Sequence, residues 1–268
     1  MIEAIEITKD YGSLRAVDRV SFSVPKGQIV GLLGPNGAGK TTTMRILTGY
    51  MPPTSGTAKI AGFDLFEATD EAKRRVGYLP ETPPLYPEMT VLESLNFVGG
   101  LMGIPKKGRK EKVERAMERV GLAEVRRRLV GHISKGFRQR VGLAQALVHD
   151  PPVLILDEPT IGLDPKQILE IRGLIQKLAG EKTVILSSHI LQEIQTLCER
   201  VVIIHHGRIV ADDSIAKLSQ QWGKSRLLVT SSESQGVMKK RLAEVSGVEE
   251  VREIGSSLEE IFLSLTEG

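Results

Sequence analysis

The chain of 268 residues lacks the features typical of secreted, membrane-spanning or nucleic-acid-binding proteins. Its single cysteine, Cys198, rules out an internal disulfide and favours a reducing compartment. No apolar run approaches the length of about 18 residues that a membrane span needs, and no signal-peptide pattern opens the chain. The net charge of +3 is too small to indicate nucleic-acid binding by itself. We therefore expect a cytoplasmic protein, or one held to a membrane only through a partner.

Aromatic residues are also scarce, at 4% of the sequence, so we expect a core built from Ile, Val, Leu and Ala. The hydrophobic share of 41% and the charged share of 26% are ordinary for a globular protein. The length suits one large domain, or one domain with an appendage.

A glycine-rich segment follows a buried-strand pattern (28–33) and precedes a helical pattern (41–48). It fits G-x-x-x-x-G-K-[ST], in which backbone N–H groups and a helix N-terminus attract phosphate. The lysine suits the β- and γ-phosphates, and the following threonine hydroxyl suits Mg²⁺. The segment comprises Gly34, Pro35, Asn36, Gly37, Ala38, Gly39, Lys40, Thr41 and Thr42.

Two adjacent carboxylates follow a continuous apolar run (153–156), which is typical of a buried parallel strand. At the end of such a strand, in a chain with a phosphate loop, Asp157 is predicted to hold Mg²⁺. Glu158 is then placed to orient or deprotonate a water. A pair of acids that merely caps a helix is the structural alternative.

Other candidate residues occupy strand ends and helix starts. His189 follows a predicted strand (183–186), at the same end as the carboxylates. Ser134 is a good helix N-cap, and Asp164-Pro165 is a typical helix start. Tyr11 lies in a predicted turn after a strand (2–8), where a surface role and base stacking both stay open.

The remaining patterns predict secondary structure without chemistry. Helices are expected at 90–102, 106–120 and 215–222, and a hairpin turning at His206-Gly207. Basic clusters at 106–112 and 126–128 fit either solvated helix surface or contact with an acidic partner. After a predicted linker (223–225), a small appendage is expected with strands at 226–230 and 248–254 and helices at 237–245 and 258–265.

Over about the first 220 residues, the order of motifs resembles the ATP-binding cassette (ABC) ATPases. Gly34–Thr42 is similar to the Walker A loop, and Asp157-Glu158 to Walker B with the catalytic glutamate. The other correspondences are Tyr11 with the adenine-stacking aromatic residue, Glu81 with the Q-loop glutamine, Ser134, Lys135, Gly136 and Phe137 with the L-S-G-G-Q signature, Asp164 with the D-loop, and His189 with the switch histidine.

Three departures from the family pattern stand out. Glu81 replaces glutamine, which adds negative charge near the expected Mg²⁺ and removes an amide donor. Lys135 and Phe137 replace Gly and Gln of the signature, and Ile161-Gly162 replaces the usual small pair before the D-loop. They leave open how tightly an ATP-bound dimer closes.

The resemblance implies an α/β fold: a P-loop NTPase core of the ABC ATPase type with a mostly parallel sheet, an antiparallel β subdomain and a helical subdomain. The ATP-binding domain would span residues 1–220, with the helical subdomain at about 82–150, and a small α+β appendage would span 221–268. The segment 257–262 is similar to the C-terminal end of ATPases that serve ABC-2 type exporters.

The implied function is ATP hydrolysis that powers a membrane transporter, most readily an exporter of drugs, lipids or polysaccharides. The cofactors would be ATP and Mg²⁺, with Thr41, Glu81 and Asp157 around the metal, and Glu158, His189 and Lys40 as catalytic residues. The partners would be an integral-membrane permease and a second copy of the chain in an ATP-sandwich homodimer, with no nucleic acid. The subunit would be cytoplasmic and peripheral on the inner face of the membrane through its permease.

Two other functions are compatible with a phosphate loop. A non-transport ABC ATPase acting on ribosomes or DNA is the alternative, although the chain has one cassette and no long coiled-coil insertion. A P-loop GTPase switch is disfavoured because both asparagines, Asn36 and Asn96, lie outside any N-K-x-D motif.

Overall fold

The computed structural model describes residues 1–222, 226–230 and 250–254. The chain divides into two compact units, Met1–Asp212 and Asp213–Gly268. The predicted linker (223–225) and the predicted helices at 237–245 and 258–265 lie outside the described residues. The domain boundary placed after residue 220 stays a prediction.

A six-stranded sheet forms the centre of the first unit, and the pairs from β9 to β6 are all parallel. Every residue of β3, β7 and β8 is buried, because their continuous apolar runs are covered on both faces. In sheet order the strands are β10 (Arg208–Ser214), β9 (Arg200–His205), β3 (Ile29–Leu33), β8 (Thr183–Ser188), β7 (Val153–Asp157) and β6 (Val76–Leu79).

A four-stranded antiparallel sheet packs its apolar side chains into the same core. Its first strand runs further than the predicted 2–8, since bulges let the alternation shift. Tyr11 is the last strand residue, opposite Leu14, and not a turn residue as predicted. In sheet order the strands are β2 (Leu14–Val24), β1 (Ile2–Tyr11), β4 (Ser55–Ile60) and β5 (Phe63–Asp64).

Seven α-helices are described in the first unit, together with 3₁₀ turns at Ala123–Val125 and Val130–His132. The helices are α1 (Lys40–Leu47), α2 (Thr69–Lys73), α3 (Val91–Leu101), α4 (Lys106–Arg119), α5 (Lys135–Leu147), α6 (Pro165–Gln176) and α7 (Leu191–Leu197). The second unit contains α8 (Ile215–Trp222) and an antiparallel pair, β11 (Arg226–Thr230) and β12 (Glu250–Ile254).

Local chemistry explains the bounds of several helices. Thr90 and Glu93 form a reciprocal capping box at the start of α3. The apolar residues Val113, Ala116 and Met117 of α4 are buried, but the first turn of the helix is interrupted at Lys107 and Gly108. Cys198 follows the last residue of α7. Its thiol is buried, and burial raises its pKa to about 12.

The predicted hairpin at His206-Gly207 connects β9 to β10 and also supports the phosphate loop. Both turn residues have positive φ, at 46° and 76°, as a two-residue hairpin loop requires. The Gly207 N–H donates to the Ala38 carbonyl over 3.0 Å, and the Gly207 carbonyl accepts from the Asp18 N–H over 2.8 Å. The turn therefore ties the loop after β3 to strand β2.

Parallel pairing gathers the chemically active residues at one edge of the central sheet. Leu33 lies opposite Ser188, and Asp157 lies opposite Ser187. The loops after β3, β7, β8 and β6 consequently leave from the same edge, where ligands of α/β proteins bind.

Candidate nucleotide-binding and hydrolysis site

The phosphate loop has a backbone path that only glycine permits at its two tightest points. Gly39 has φ 105°, and a Cβ there would lie 2.6 Å from the Ala16 carbonyl oxygen. A Cβ on Gly34 would lie 2.3 Å from the Ile204 carbonyl oxygen. At the tip of the loop, Asn36 and Gly37 are exposed. The loop is thus held close to its neighbours and open toward solvent.

Helix α1 begins directly behind this loop. Its N-cap, Gly39, offers no side-chain acceptor, and the Gly39 carbonyl accepts from the N–H of Thr43 over 2.9 Å. The N–H groups of the first helical turn have no intrahelical partners and carry the positive end of the helix dipole. The sequence-predicted anion site therefore has the backbone arrangement that phosphate binding requires.

Lys40 is nearly buried, at 6% exposure, and its ammonium lies within the loop. The Nζ atom donates to the carbonyls of Gly34 at 2.8 Å and Pro35 at 3.2 Å. Desolvation lowers the pKa of Lys40, while the charges of Glu158 and Asp157 act in the opposite direction. The ammonium is therefore confined to the place where β- and γ-phosphate charge is expected.

Asp157 is held by the strand beside it. The Ser187 hydroxyl donates to Asp157 Oδ1 over 2.6 Å and accepts from the Glu158 N–H over 2.9 Å. Thr41 Oγ1 lies 3.5 Å from the same carboxylate oxygen. One serine thus fixes the carboxylate and the backbone of the next residue together.

The oxygens of Thr41 and Asp157 suit a magnesium ion that is completed by phosphate and water. Among the described residues there is no cluster of three or more His, Cys, Asp or Glu side chains that could hold a metal alone. Mg²⁺ is usually bound through one or two carboxylates and substrate phosphates, with several waters retained. A hydroxyl and a carboxylate in contact fit this pattern.

Glu158 lies between the other two predicted catalytic residues. Its Oε2 is 2.8 Å from Nδ1 of His189, and its Oε1 is 3.9 Å from Nζ of Lys40. The residue has φ 49°, a conformation that costs a non-glycine residue about 1 to 3 kcal/mol and recurs at functional sites. The Glu158 side chain is buried, whereas that of His189 is partly exposed. The site therefore pairs a buried carboxylate with an imidazole that can reach solvent.

Tyr11 presents a partly exposed ring at the end of β1, with 45% of the residue accessible. Its hydroxyl donates to Met51 Sδ over 3.2 Å, and Lys9 Nζ lies 5.6 Å from the ring centroid. The ring is anchored at its polar tip and is available for stacking. Its contact with adenine stays a prediction.

The signature residues form a separate group. Ser134 caps α5 by accepting from the Phe137 N–H, and Ser134 and Lys135 are exposed. A Cβ on Gly136 would meet the side chain of Gln167 on α6 at 2.6 Å. Within the described part of the chain, no hydrogen bond or ion pair joins this turn to Lys40, Asp157 or Glu158. The structure therefore does not bring the signature into its own chain's phosphate site.

Glu81 and Asp164 lie at the margin of these groups. Asp164 caps α6 by accepting from the Gln167 N–H over 2.9 Å. Glu81 is exposed and lines a cavity of about 410 Å³ together with Lys135 and Arg138. Its charge contributes to raising the pKa of Lys40, but less than Glu158 and Asp157 do. A metal role for Glu81 stays a prediction.

Sequence analysis missed three buried polar residues that support the site. No sequence motif includes Ser187, Ser188 or Glu193. Their roles depend on which residue of β8 lies beside which residue of β7, and on the packing of α7. Two adjacent hydroxyl residues directly after an apolar run were the one signal available in the sequence.

A glycine loop with a lysine, a strand-end aspartate and an adjacent glutamate define a P-loop nucleoside triphosphatase of the α/β class. Residues 17–161 match the protein-family model described as ABC transporter, which is more than half of the chain. The chain belongs to this family, and it is an ATP-binding subunit with ATPase activity.

Named relatives agree with this assignment. The chain is 45% identical over 214 residues to the bacitracin transport ATP-binding protein BcrA of Bacillus licheniformis, covering 79% of this chain and 69% of the relative. It is 36% identical over 229 residues to the linearmycin resistance ATP-binding protein LnrL of Bacillus subtilis, covering 85% and 74%. Identity to the probable multidrug ABC transporter ATP-binding protein YbhF of Escherichia coli is 37% over 225 residues, and these cover 82% of this chain but 38% of YbhF.

Solved structures with the same fold include an ATP-binding subunit of an ABC transporter, with a TM-score of 0.76, 27% identity and 99% coverage of both chains. A second is the dimeric, post-hydrolysis state of the cassette MJ0796 bound to ADP and Pi, with a TM-score of 0.72 and 25% identity, covering 80% of this chain and 99% of that one. In the described part of this chain, no helix is long and apolar enough to cross a membrane.

Proposed function

We propose that this subunit powers an ABC-2 type exporter of drugs, lipids or polysaccharides, working as a homodimer on a separate membrane permease. The proposal rests on the placement of four side chains at one edge of the central sheet: Lys40, Asp157, Glu158 and His189. The named relatives of the chain serve bacitracin transport and linearmycin resistance. The export branch is further supported by the similarity of segment 257–262 to the tails of such ATPases.

Within one chain, the residues divide the chemistry of hydrolysis among them. Lys40 and the N-terminus of α1 bind the phosphate charge, and Thr41 and Asp157 would hold Mg²⁺, which would offset negative charge on the phosphates. Glu158 orients the attacking water and accepts its proton, and His189, bonded to Glu158, contacts the γ-phosphate. Catalysis is then mostly positioning and electrostatic stabilisation.

The second wall of the site would come from another copy of the chain. Ser134 and Lys135 are exposed at the start of a helix, so N–H groups of its first turn can face a γ-phosphate across a dimer interface. Only a triphosphate reaches both the phosphate loop of one chain and the Ser134–Phe137 turn of the other, and hydrolysis therefore releases the dimer. This differential contact is what converts ATP chemistry into movement of the permease.

The permease is proposed to dock beside the proline-rich segment Thr82–Met89. Tyr86 packs edge-on against Phe97 of α3 at a centroid distance of 5.6 Å, and both rings are substantially exposed. Leu101 and Met102 continue this apolar surface along a groove of about 910 Å³. Exposed apolar surface of this kind is typical of an interaction site.

Capture of the partner tests the transporter assignment. The tagged Glu158→Gln variant, purified from its native cells with Mg-ATP in mild detergent, should retain the ATP-bound form and bring a multi-helix membrane protein with it. Recovery of ribosomes or DNA in place of a membrane protein would contradict the transporter and favour the non-transport alternative.

Charge placed on the groove tests the docking surface. Tyr86→Asp and Leu101→Asp should abolish co-purification of the permease, because each buries a carboxylate in an apolar contact. Leu169→Asp is the matched control, since Leu169 is exposed to a similar degree on α6, outside the groove. Undiminished capture by both groove variants would show that the permease docks elsewhere.

A further inference from the structure

Helix α7 carries a fully buried carboxylate to which the reaction described above gives no role. Glu193 is 0% exposed and lies in the first turn of the helix that follows His189. Burying a carboxylate is costly unless hydrogen bonds and a counter-charge compensate for its lost hydration. The partners of Glu193 therefore indicate what the residue does.

The first partner is Ser188, the last residue of β8 and the neighbour of His189. The Ser188 hydroxyl donates to Glu193 Oε2 over 2.8 Å and accepts from the Ile190 N–H over 2.9 Å. Because the hydroxyl proton is directed to the carboxylate, the oxygen lone pair stays available for Ile190. The two bonds close the backbone turn that has His189 at its centre.

The second partner is Arg172 on α6, the helix that begins directly after Asp164. Its Nη2 lies 3.5 Å from Glu193 Oε1, and both side chains are mostly buried. Neither Glu193 Oε1 nor Arg172 Nε has a hydrogen-bond partner among the described residues. The pair is thus held by charge across a short gap and not by a complete set of hydrogen bonds.

We propose that Glu193 is a positioning residue for ATP hydrolysis. Through Ser188 it fixes the backbone on both sides of His189, so that the imidazole meets Glu158, and through Arg172 it connects this turn to the helix behind the D-loop. The proposal rests on the roles assigned above to His189 and Glu158, whose 2.8 Å contact is the feature being positioned.

A role in stability alone would not require a carboxylate at position 193. At a fully buried position, an apolar residue of similar size commonly stabilises a protein as well as a buried ion pair does, or better. The carboxylate at position 193 bonds instead to the residue adjoining His189. The arrangement places the buried charge where it constrains the hydrolysis site.

The test compares the ATPase kinetics of Glu193→Gln with those of the control Glu199→Gln. Glu199 is exposed and lies two residues after the end of α7. Loss of the charge at position 193 should lower kcat about three- to thirtyfold and leave the KM for ATP within about twofold. The control should match wild type. The His189 imidazole NMR signal, assigned through His189→Ala, should shift in Glu193→Gln and stay unchanged in Glu199→Gln.

Ser188→Ala keeps the Glu193–Arg172 pair and removes only the link to the turn, so it keeps the proposal testable if Glu193→Gln does not fold. It should lower kcat to a similar extent and shift the same His189 signal. In the double variant the losses should not add, because both changes act through the one contact between Ser188 and Glu193. Wild-type kcat and unchanged His189 signals in folded Ser188→Ala would overturn the proposal.

The same set of variants separates this proposal from the site assignment beneath it. If His189→Ala keeps wild-type kcat, the assigned role of His189 is wrong. If His189→Ala is nearly inactive while folded Glu193→Gln and Ser188→Ala are unaffected, only the positioning role fails.

Discussion

The two groups proposed to bind ATP are built in opposite ways. Lys40, Asp157 and Glu158 are 6%, 1% and 7% exposed, and they are joined to one another or to Ser187 by hydrogen bonds and an ion pair. Ser134 and Lys135 are exposed, and Ser134 bonds only to the start of its own helix among the described residues. The first group is complete within one chain, whereas the second is accessible to another molecule.

This difference agrees with the proposed division of work between two copies of the chain. Buried charges need compensation and are costly to rearrange, so they suit the fixed chemistry of hydrolysis. An exposed helix N-terminus keeps its N–H groups hydrated until an anion displaces the water, so it suits a contact that forms and breaks in each cycle. The following changes test this division, from the largest expected effect to the smallest.

The largest effect is expected from Glu158→Gln. Removing the carboxylate that orients and deprotonates water should lower kcat by about 10² to 10⁴, while ATP affinity stays close to wild type. Steady-state ATPase assays and equilibrium nucleotide binding measure the two quantities. Glu124→Gln, at an exposed position outside the site, is the control. A loss of ATP binding equal to the loss of turnover would show that Glu158 is a binding residue.

Lys135→Glu tests the exposed group. A carboxylate facing the γ-phosphate across the interface should lower turnover about a hundredfold, because like charges are brought together when the dimer closes. ATP binding to the separate subunit should not change. Lys26→Glu, an exposed charge reversal before β3 at the opposite edge of the sheet, should have neither effect. Weakened ATP binding by the monomeric Lys135→Glu variant would contradict the division between the two groups.

Tyr11→Ala should raise the Kd for ATP about tenfold, since stacking of a base on an aromatic ring contributes about 1 to 3 kcal/mol. Tyr11→Phe keeps the ring and should stay within about twofold, although it loses the bond to Met51. Calorimetric titration with ATP checks both values. Equal weakening by the two variants would show that the hydroxyl, and not the ring, is responsible.

The smallest effect compares two helix caps. Ser134→Ala and Thr90→Ala should each lower the free energy of unfolding by about 1 kcal/mol, because each removes the acceptor for an N–H of the first helical turn. Only Ser134→Ala should also lower the ATPase rate, since Thr90 caps a helix away from the nucleotide. Denaturant unfolding and turnover assays measure the two effects, and equal turnover of the variants would remove the functional role of Ser134.

Most of the sheet edge that carries the phosphate loop can be predicted from the sequence, because its features depend on short stretches of the chain. The loop needs glycines at fixed spacing, and β3, β7 and β8 are continuous apolar runs, so their ends and the residues after them are predictable. The starts of α5 and α6 follow from Ser134 and Asp164 for the same reason.

Features that depend on strand register and side-chain packing were harder to predict from the sequence. Ser187 acts on Asp157 because β7 and β8 pair in one register, which no local pattern specifies. The contact between His189 and Glu158 depends on the left-handed conformation of Glu158, and the length of β1 depends on bulges. At these positions the tertiary structure overrides the local sequence preference.

A mixing experiment tests the central claim, that the buried group of one chain works with the exposed turn of another. Glu158→Gln and Lys135→Glu subunits, each nearly inactive alone, would be mixed before ATP is added. In a heterodimer, the intact buried group of one chain faces the intact Ser134–Phe137 turn of the other, so activity should recover to roughly a quarter of wild type. A mixture no more active than the mean of its two components would contradict the account.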